Sequence, residues 1–159
     1  MRTMNHSSDE SFVGALPRGL AARPALLLHK LGNQLLARAE GPLAAIGLSG
    51  RQYVVLAVMD SDEPPSQLEL ANLCGLLPAQ VVPVLDELEG RGLVERRRSE
   101  SDRRRSVVRV TAEGRALLAR ADALERSLTD LMFGQLEPAA RDALADTLRL
   151  ALVRVQRSE

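Results

Sequence analysis

The spacing of the apolar residues changes at Leu93, and this change restricts the fold more than any other feature of the sequence. Before it, apolar residues recur three or four positions apart, as Val81 and Leu85 do, which is the period of one helix face. After it, Val108 and Val110 occupy alternate positions, which is typical of a strand. Aromatic residues make up only 2% of the 159 residues, and this scarcity also favours a mainly helical protein over a sheet-rich one.

Two short helices are predicted on either side of a tight turn at Gly75. Ser66, with a glutamate three positions later, has the spacing of a capping box and begins the first helix. Gly75 is suited to the left-handed conformation that ends many helices. Pro78 is suited to the first turn of the second helix, which is expected to end at Gly90 or Gly92. Two short helices joined in this way have the proportions of a helix-turn-helix.

A β-hairpin is predicted directly after these helices. Residues 94–98 and 106–110 form its two strands, and residues 99–105 form its polar loop. Two strands alone are only marginally stable in water, so the hairpin is expected to pack on the helices. A helix-turn-helix followed by a hairpin is a winged helix, and the predicted fold class is therefore α+β, mainly α with a small β-hairpin wing.

The segments outside the winged helix, which spans residues 49–111, are predicted to be an arm and long helices. Residues 1–22 are interrupted by glycine and proline, and we interpret them as a flexible N-terminal arm. Helical spacing predicts long helices in residues 23–48 and 112–159, the latter with the three-and-four spacing of a coiled-coil seam. The Gly41-Pro42 pair is expected to break or kink the first of these helices.

The arginines are concentrated between residues 91 and 109. This segment has eight arginines and three acidic residues, so its net charge is +5, although the whole chain is neutral with 21 basic and 21 acidic residues. A local charge of this size beside a helix-turn-helix favours contact with the phosphates and grooves of double-stranded DNA. The alternative is that these arginines are ordinary strand-edge charges that prevent aggregation.

Several classes of protein are not expected from this sequence. No run of about 18 apolar residues is present, and the N-terminus lacks the pattern of a secretory signal, so no membrane span is expected and the protein is predicted to be cytoplasmic. The single cysteine, Cys74, excludes an internal disulfide framework and a multi-cysteine zinc finger. There is no phosphate-binding glycine loop, zinc-protease spacing or nucleophile with a histidine partner, so we expect neither an enzyme nor a required cofactor.

Three short motifs surround the hairpin loop: Gly92-Leu93-Val94-Glu95-Arg96, Asp102-Arg103-Arg104, and Val108-Arg109-Val110-Thr111 with Gly114. Together they resemble the wing of the MarR family of bacterial transcriptional regulators. The resemblance extends from about Pro24 to the C-terminus and includes Gly47-Leu48-Ser49, Leu70-Ala71 and residues 85–89. The order Asp-Arg-Arg in the loop, followed by a strand and a threonine, is a specific signal, because a winged helix in general does not require it.

The resemblance implies a homodimer. In the family, the first helix and the last two helices intertwine two subunits, and two winged helices bind a pseudo-palindromic operator with half-sites about one helical turn apart. It also implies that Arg104 enters the minor groove with Asp102 orienting it, and that Arg103 and Arg105 contact phosphates. Repression, rather than activation, is implied by the resemblance alone.

The candidate DNA-binding residues lie in the helix-turn-helix and in the wing. In the second helix, Gln80 can form two hydrogen bonds with adenine, and Ala79 and Val82 can contact thymine methyl groups. The full set of candidates is Ser66, Gln67, Pro78, Ala79, Gln80, Val82, Arg97, Arg98, Asp102, Arg103, Arg104 and Arg105.

The second helix departs from the family pattern at two positions. Leu77 stands where the family commonly has a capping residue, and Pro83 stands where many relatives have a polar or basic DNA contact. We therefore expect base readout to be sparse, with wing insertion and DNA shape supplying much of the specificity.

Regulation by a small molecule is also implied, because the family forms effector pockets near its first helix. His29, Asn33 and Tyr53 are the candidates for lining such a pocket, and a structural or interface role for His29 is the competing interpretation. Cys74 lies at the helix-turn-helix corner, away from the position that the peroxide-sensing branch of the family uses, so an inert buried thiol is expected.

Two alternatives to a ligand-responsive repressor remain open from the sequence. The first is a zinc-responsive regulator of the same fold, whose ligands would come from His6, His29, Asp60, Asp62 and Glu63. The second is a dimeric interaction protein that has lost DNA binding, because the second helix is unusually apolar.

Overall fold

A computed structural model describes residues 16–61, 63–98 and 106–156 of the chain. These residues form seven helices and one two-stranded antiparallel hairpin, which confirms the predicted fold class of a mainly α protein with a small β-hairpin wing. In chain order the elements are α1 (Arg18–Ala21), α2 (Pro24–Ala45), α3 (Gly50–Met59), α4 (Gln67–Cys74), α5 (Pro78–Gly90), β1 (Val94–Arg98), β2 (Ser106–Val110), α6 (Ala112–Phe133) and α7 (Pro138–Gln156).

Reciprocal side-chain caps begin α3 and α4. The Ser49 hydroxyl accepts a hydrogen bond from the amide of Gln52 at 3.2 Å, and the Gln52 side chain accepts one from the amide of Ser49 at 3.0 Å. Ser66 and Glu69 form the same arrangement at 3.3 and 2.8 Å. Each pair satisfies two amides that a helix start leaves without partners, so both predicted starts are confirmed.

A left-handed glycine sets the angle of the helix-turn-helix. Gly75 has φ of 63° and follows the last residue of α4, as predicted. Because this conformation turns the chain sharply, α4 and α5 are bent by 100° relative to each other. That angle lies within the range of helix-turn-helix units, and α5 is the second helix of the pair.

The helix α2 continues through Pro42, so the break expected at Gly41-Pro42 is wrong. Proline disfavours a helix interior because it lacks an amide proton and restricts the residue before it, but the helix continues here as it does through Pro83 of α5, so the surrounding fold overrides this preference. The predicted N-terminal arm, residues 1–22, contains the single helical turn α1, whose Gly19 carbonyl accepts a hydrogen bond from Arg23 at 2.5 Å. Residues 1–15 of the arm lie outside the described residues.

The hairpin has the predicted strands and is anchored by valines. Val94 pairs with Val110 at its base, and Arg96 pairs with Val108 further along. Val94, Val108 and Val110 are buried, and the hairpin packs against α3, α5 and α6. The wing is therefore built onto the helical core, as the marginal stability of an isolated hairpin requires.

A continuous apolar core joins the helix-turn-helix to the hairpin. Its largest fully buried side chains come from α3, α4, α5 and β1: Val55, Leu56, Met59, Leu70, Val81, Leu85, Leu88 and Val94. At the end of the hairpin, Thr111 caps α6 by accepting a hydrogen bond from the amide of Gly114 at 3.0 Å. The same hydroxyl lies 2.7 Å from the Gly92 carbonyl, to which it donates, so one threonine joins the hairpin base to α6.

The last helix, α7, has little to pack against in a single chain. It makes extensive contact with no other element of the described residues. Its apolar side chains are instead exposed: Leu148, Leu150, Leu152, Val153 and Val155. Among the described helices, none is long and apolar enough to cross a membrane alone, although two sharply bent helix pairs reach that threshold by length and composition.

Candidate nucleic-acid interface and effector cavity

The start of α5 presents the predicted base-contacting residues to solvent. Pro78, Ala79 and Val82 are exposed, whereas the opposite face of the helix, including Val81 and Leu85, is buried in the core. Ser66 and Gln67 are exposed at the start of α4. The structure thus leaves the predicted residues of both helices accessible to a partner.

Gln80 has a second role that the sequence analysis did not include. Leu77 carries no side-chain acceptor for the start of α5, but the Gln80 side chain still supplies the other half of a capping box by accepting a hydrogen bond from the Leu77 amide at 3.0 Å. The side-chain carbonyl oxygen of Gln80 is therefore already hydrogen-bonded when DNA is absent. To form two hydrogen bonds with adenine, Gln80 has to release this bond, which reduces the gain from base readout.

The structure describes only part of the predicted wing surface. Arg97 is exposed and forms an ion pair with Glu95 at 2.7 Å, and Arg109 is exposed opposite Glu95 on the other strand. Arg98 is the last residue of β1. Four of the predicted DNA-binding residues, Asp102, Arg103, Arg104 and Arg105, lie outside the described residues.

Arg96 joins the wing to α5, and the sequence analysis did not assign it this role. Its guanidinium lies 2.5 Å from a carboxylate oxygen of Asp86 and also forms an ion pair with Glu89. The hydrogen bond that Arg96 donates to Asp86, together with the charges of both carboxylates, raises the pKa of Arg96 above its ordinary value. The signal was present in the sequence: Arg96 follows buried Val94 by two residues, so both lie on one face of the strand.

This pairing changes the electrostatics of α5. Acidic side chains on a helix beside DNA would repel its phosphates. Asp86 and Glu89 are instead paired with Arg96, so the repulsion between them and a phosphate backbone is reduced. Glu87 accepts a hydrogen bond from Gln52 of α3 at 2.9 Å.

A cavity of about 690 Å³ lies between α2, α3 and α6. Its volume lies within the range of small-molecule sites. Tyr53 lines it, as expected for an effector pocket, but His29 and Asn33 do not. Those two side chains are hydrogen-bonded to each other at 3.0 Å on α2. The structure of one chain therefore does not bring the three predicted pocket residues together.

The Tyr53 phenol is held by the helix opposite it. Its hydroxyl donates a hydrogen bond to a carboxylate oxygen of Asp122 on α6 at 3.0 Å. Burial, this hydrogen bond and the negative charges of Asp122 and Glu125 raise the pKa of Tyr53 to about 12. The phenol therefore stays protonated across the physiological range.

The residues considered for a metal site are dispersed. Among the described residues, no three His, Cys, Asp or Glu side chains lie close enough to hold a metal ion. Asp60 lies 3.9 Å from Arg115, and His29 is bonded to Asn33; His6 and Asp62 lie outside the described residues. Cys74 is half-buried, and burial raises the pKa of its thiol, which disfavours the reactive thiolate.

A helix-turn-helix with an arginine-bearing hairpin fixed beside its second helix defines a winged-helix DNA-binding protein. The profile of the MarR family matches residues 48–106, which contain the helix-turn-helix and the first strand of the hairpin. An HTH-type transcriptional repressor of Mycobacterium tuberculosis is 34% identical over 101 residues, which are 64% of this chain and 73% of the relative. The chain belongs to the MarR family of transcriptional regulators, as the resemblance implied.

Solved structures of similar proteins include the regulator CouR from Rhodococcus jostii in two states. CouR bound to p-coumaroyl-CoA is 32% identical, with a TM-score of 0.76 over 86% of this chain and 96% of that one. CouR bound to a 23-mer DNA duplex is 34% identical, with a TM-score of 0.72 over 86% of this chain and 97% of that one.

Proposed function

We propose that the protein is a cytoplasmic homodimeric repressor that binds a pseudo-palindromic DNA operator and is released by a small ligand. The observation that carries this proposal is that the wing is joined to α5, whose start is exposed. The buried valines of the hairpin hold it on the core, and the ion pair of Arg96 with Asp86 joins it to α5. A wing and a helix held in this relation can engage adjacent grooves of one duplex.

The apolar surface of α7 supports the dimer. In a single chain Leu148, Leu152 and Val155, whose spacing places them on one face of α7, are exposed to 37–65%, and an apolar helix face of this kind is typical of a subunit interface. The family relationship supports a second copy of the chain as the partner that covers this surface. Two copies related by a two-fold axis would present two winged helices, and half-sites about one helical turn apart would match them.

Recognition would be divided between the helix and the wing. Direct readout by α5 is limited, because its exposed start is apolar and Gln80 is engaged at the helix cap. We therefore keep the prediction that Arg104 enters the minor groove with Asp102 orienting it, and that Arg103 and Arg105 contact phosphates.

Ligand control would act through the cavity between α2, α3 and α6. The cavity is bordered by the long helices α2 and α6 and by α3, the first helix of the winged-helix region. A ligand there can therefore favour one spacing of the two DNA-binding heads over another. The structure of CouR with p-coumaroyl-CoA supports a ligand-responsive function for a protein of this fold.

The test begins with genomic footprinting of the purified protein, which identifies its promoters. Fluorescence anisotropy with a bound promoter duplex then gives affinity as a function of salt concentration. We expect a steep salt dependence, and we expect Arg104→Ala to weaken binding more than Gln80→Ala does. Arg120→Ala, an exposed arginine of α6 outside the wing, is the matched control and should leave affinity within about twofold.

Three results would count against the proposal. A monomer in sedimentation equilibrium would remove the dimer, and a larger loss from Gln80→Ala than from Arg104→Ala would remove the division of recognition. Weak binding that is equal for every promoter at modest salt would favour the alternative of an interaction protein without DNA binding.

A further inference from the structure

The cavity between α2, α3 and α6 has an apolar wall and an acidic rim. Most of the residues that line it are aliphatic, among them Leu35, Leu43, Leu48, Leu124 and Leu128. The charged residues that the structure places in the lining are both acidic, Glu40 on α2 and Glu125 on α6. Among the described residues, no arginine or lysine lines this cavity. An apolar ligand body is therefore favoured, and the charge at the rim is negative.

The two glutamates are not neutralised within the described part of the chain. No described arginine, lysine or histidine forms a salt bridge with Glu40 or Glu125. Glu125 accepts a hydrogen bond from Thr129 at 2.6 Å, which leaves its charge in place. Two unpaired carboxylates at the rim of an apolar cavity attract a cation and repel an anion.

Tyr53 adds to the same preference. Because its hydroxyl proton is donated to Asp122, the phenol oxygen has only acceptor capacity left for a ligand. A ligand carboxylate has no proton to donate at neutral pH, so it cannot bond to this oxygen. A protonated amine can donate to it.

Two positive features act in the opposite direction and are weaker. The start of α3, at Ser49 and Gly50, borders the cavity, but a helix N-terminus carries only about half a unit charge, and the amides of Ser49 and Gln52 are already capped. Arg126, whose charge lowers the pKa of Tyr53, does not line the cavity. The net potential at the rim is therefore negative.

We propose that this cavity binds a cationic amphipathic molecule, an apolar body that carries a protonated amine, in preference to a carboxylate of the same shape. The apolar body would contact the leucines, and the ammonium would lie between Glu40, Glu125 and the phenol oxygen of Tyr53. The regulatory meaning of this binding rests on the proposed function, whereas the ligand class does not.

The test compares two probes that differ in charge but share one body. Isothermal titration calorimetry on the full chain, without DNA, measures the binding of 4-phenylbutylamine and of 4-phenylbutyrate. We expect the amine to bind about tenfold more tightly, since partly exposed ion pairs contribute modestly. The double variant Glu40→Gln/Glu125→Gln should bring the two affinities within about threefold, whereas Glu137→Gln, a control outside the cavity, should keep the preference.

A second variant locates the binding site. Ala44→Trp adds a large side chain at an exposed residue of the cavity wall and should abolish amine binding without unfolding the protein. Amine binding that survives in Ala44→Trp would overturn the proposal, because the amine would then bind elsewhere. Equal or tighter binding of 4-phenylbutyrate to the wild-type protein would overturn it as well.

The outcome for the proposed function is read separately, by anisotropy with the promoter duplex. Salt-dependent duplex binding together with a preference for the carboxylate would overturn the ligand class and leave the regulator intact. A preference for the amine that leaves duplex affinity unchanged would support the ligand class and count against release by this cavity.

Discussion

The junction between the hairpin and α6 has no room for a side chain at Gly114. A Cβ atom there would lie 2.0 Å from the carbonyl oxygen of Leu93 and 2.7 Å from a methyl carbon of Val110. The Leu93 carbonyl also accepts a hydrogen bond from the amide of Thr111 at 3.0 Å, so it cannot move without loss. Because the closest atom belongs to the backbone, a rotamer change cannot relieve the overlap.

We therefore expect Gly114→Ala to destabilise the protein, although alanine is normally better than glycine in a helix by about 0.5–1 kcal/mol. Overpacking in a filled site costs about 1–3 kcal/mol, and an overlap with the main chain belongs at the upper end of that range. Urea unfolding followed by circular dichroism, at one fixed protein concentration, measures the change. After the gain from alanine is subtracted, a net loss of about 2 kcal/mol remains, and with an m-value of about 2 kcal/mol/M the midpoint should fall by about 1 M.

Gly90→Ala is the matched control. Gly90 ends α5, and a Cβ atom there would meet no heavy atom within 4 Å. Its unfolding midpoint should be equal to or slightly above that of the wild-type protein. A Gly114→Ala protein with an unchanged midpoint, or an equal loss in both variants, would show this account of the junction to be wrong.

Three further predictions follow from the caps and ion pairs. Arg96→Ala should weaken duplex binding about tenfold and leave the slope of log affinity against log salt concentration nearly unchanged. Arg97→Ala should lower that slope by about one per subunit, because Arg97 is exposed to the phosphates. The same change of slope in both variants would contradict the assigned roles. Tyr53 is the only tyrosine of a chain without tryptophan, so absorbance at 295 nm should show a native midpoint near pH 12, against about 10 in urea. Since the folded state holds the phenol proton more tightly, the contribution of Tyr53 to the free energy of unfolding is full below pH 10 and is lost as the pH rises through 12. Asp122→Asn should lower the titration midpoint of the native protein. A wild-type midpoint near 10 would refute the hydrogen bond between Tyr53 and Asp122. Leu77→Ser should raise the free energy of unfolding by about 0.5–1 kcal/mol by supplying the missing cap of α5, whereas Leu77→Ala should not.

Local rules in the sequence were sufficient for the secondary structure of the winged helix. The capping serines, Gly75 and Pro78 each act through neighbours within a few residues, so the helix boundaries follow from sequence spacing alone. The strand pattern of β1 and β2 is equally local. The MarR resemblance was also carried by short motifs, and the family match includes most of them.

The same local rules were wrong at Gly41-Pro42 and incomplete at Gln80. At the first position, the proline rule is local, and the helix around Pro42 continued regardless, as it did at Pro83. At the second, Gln80 was assigned to base readout, although it lies three residues after the cap position and can therefore bind the Leu77 amide, as Gln52 and Glu69 bind the amides of their caps. This second feature was present in the sequence as spacing.

Only the tertiary structure decided which residues that are distant along the chain contact each other. Tyr53 and Asp122 are separated by 69 positions and meet because α3 and α6 pack on one core. The acidic rim of the cavity joins α2 to α6 in the same way, and no spacing pattern encodes it. The sequence by itself determined which helices and strands form, since backbone hydrogen bonds and caps act over a few residues. The cavity and its charge depended on helix packing, which is decided by the whole core at once.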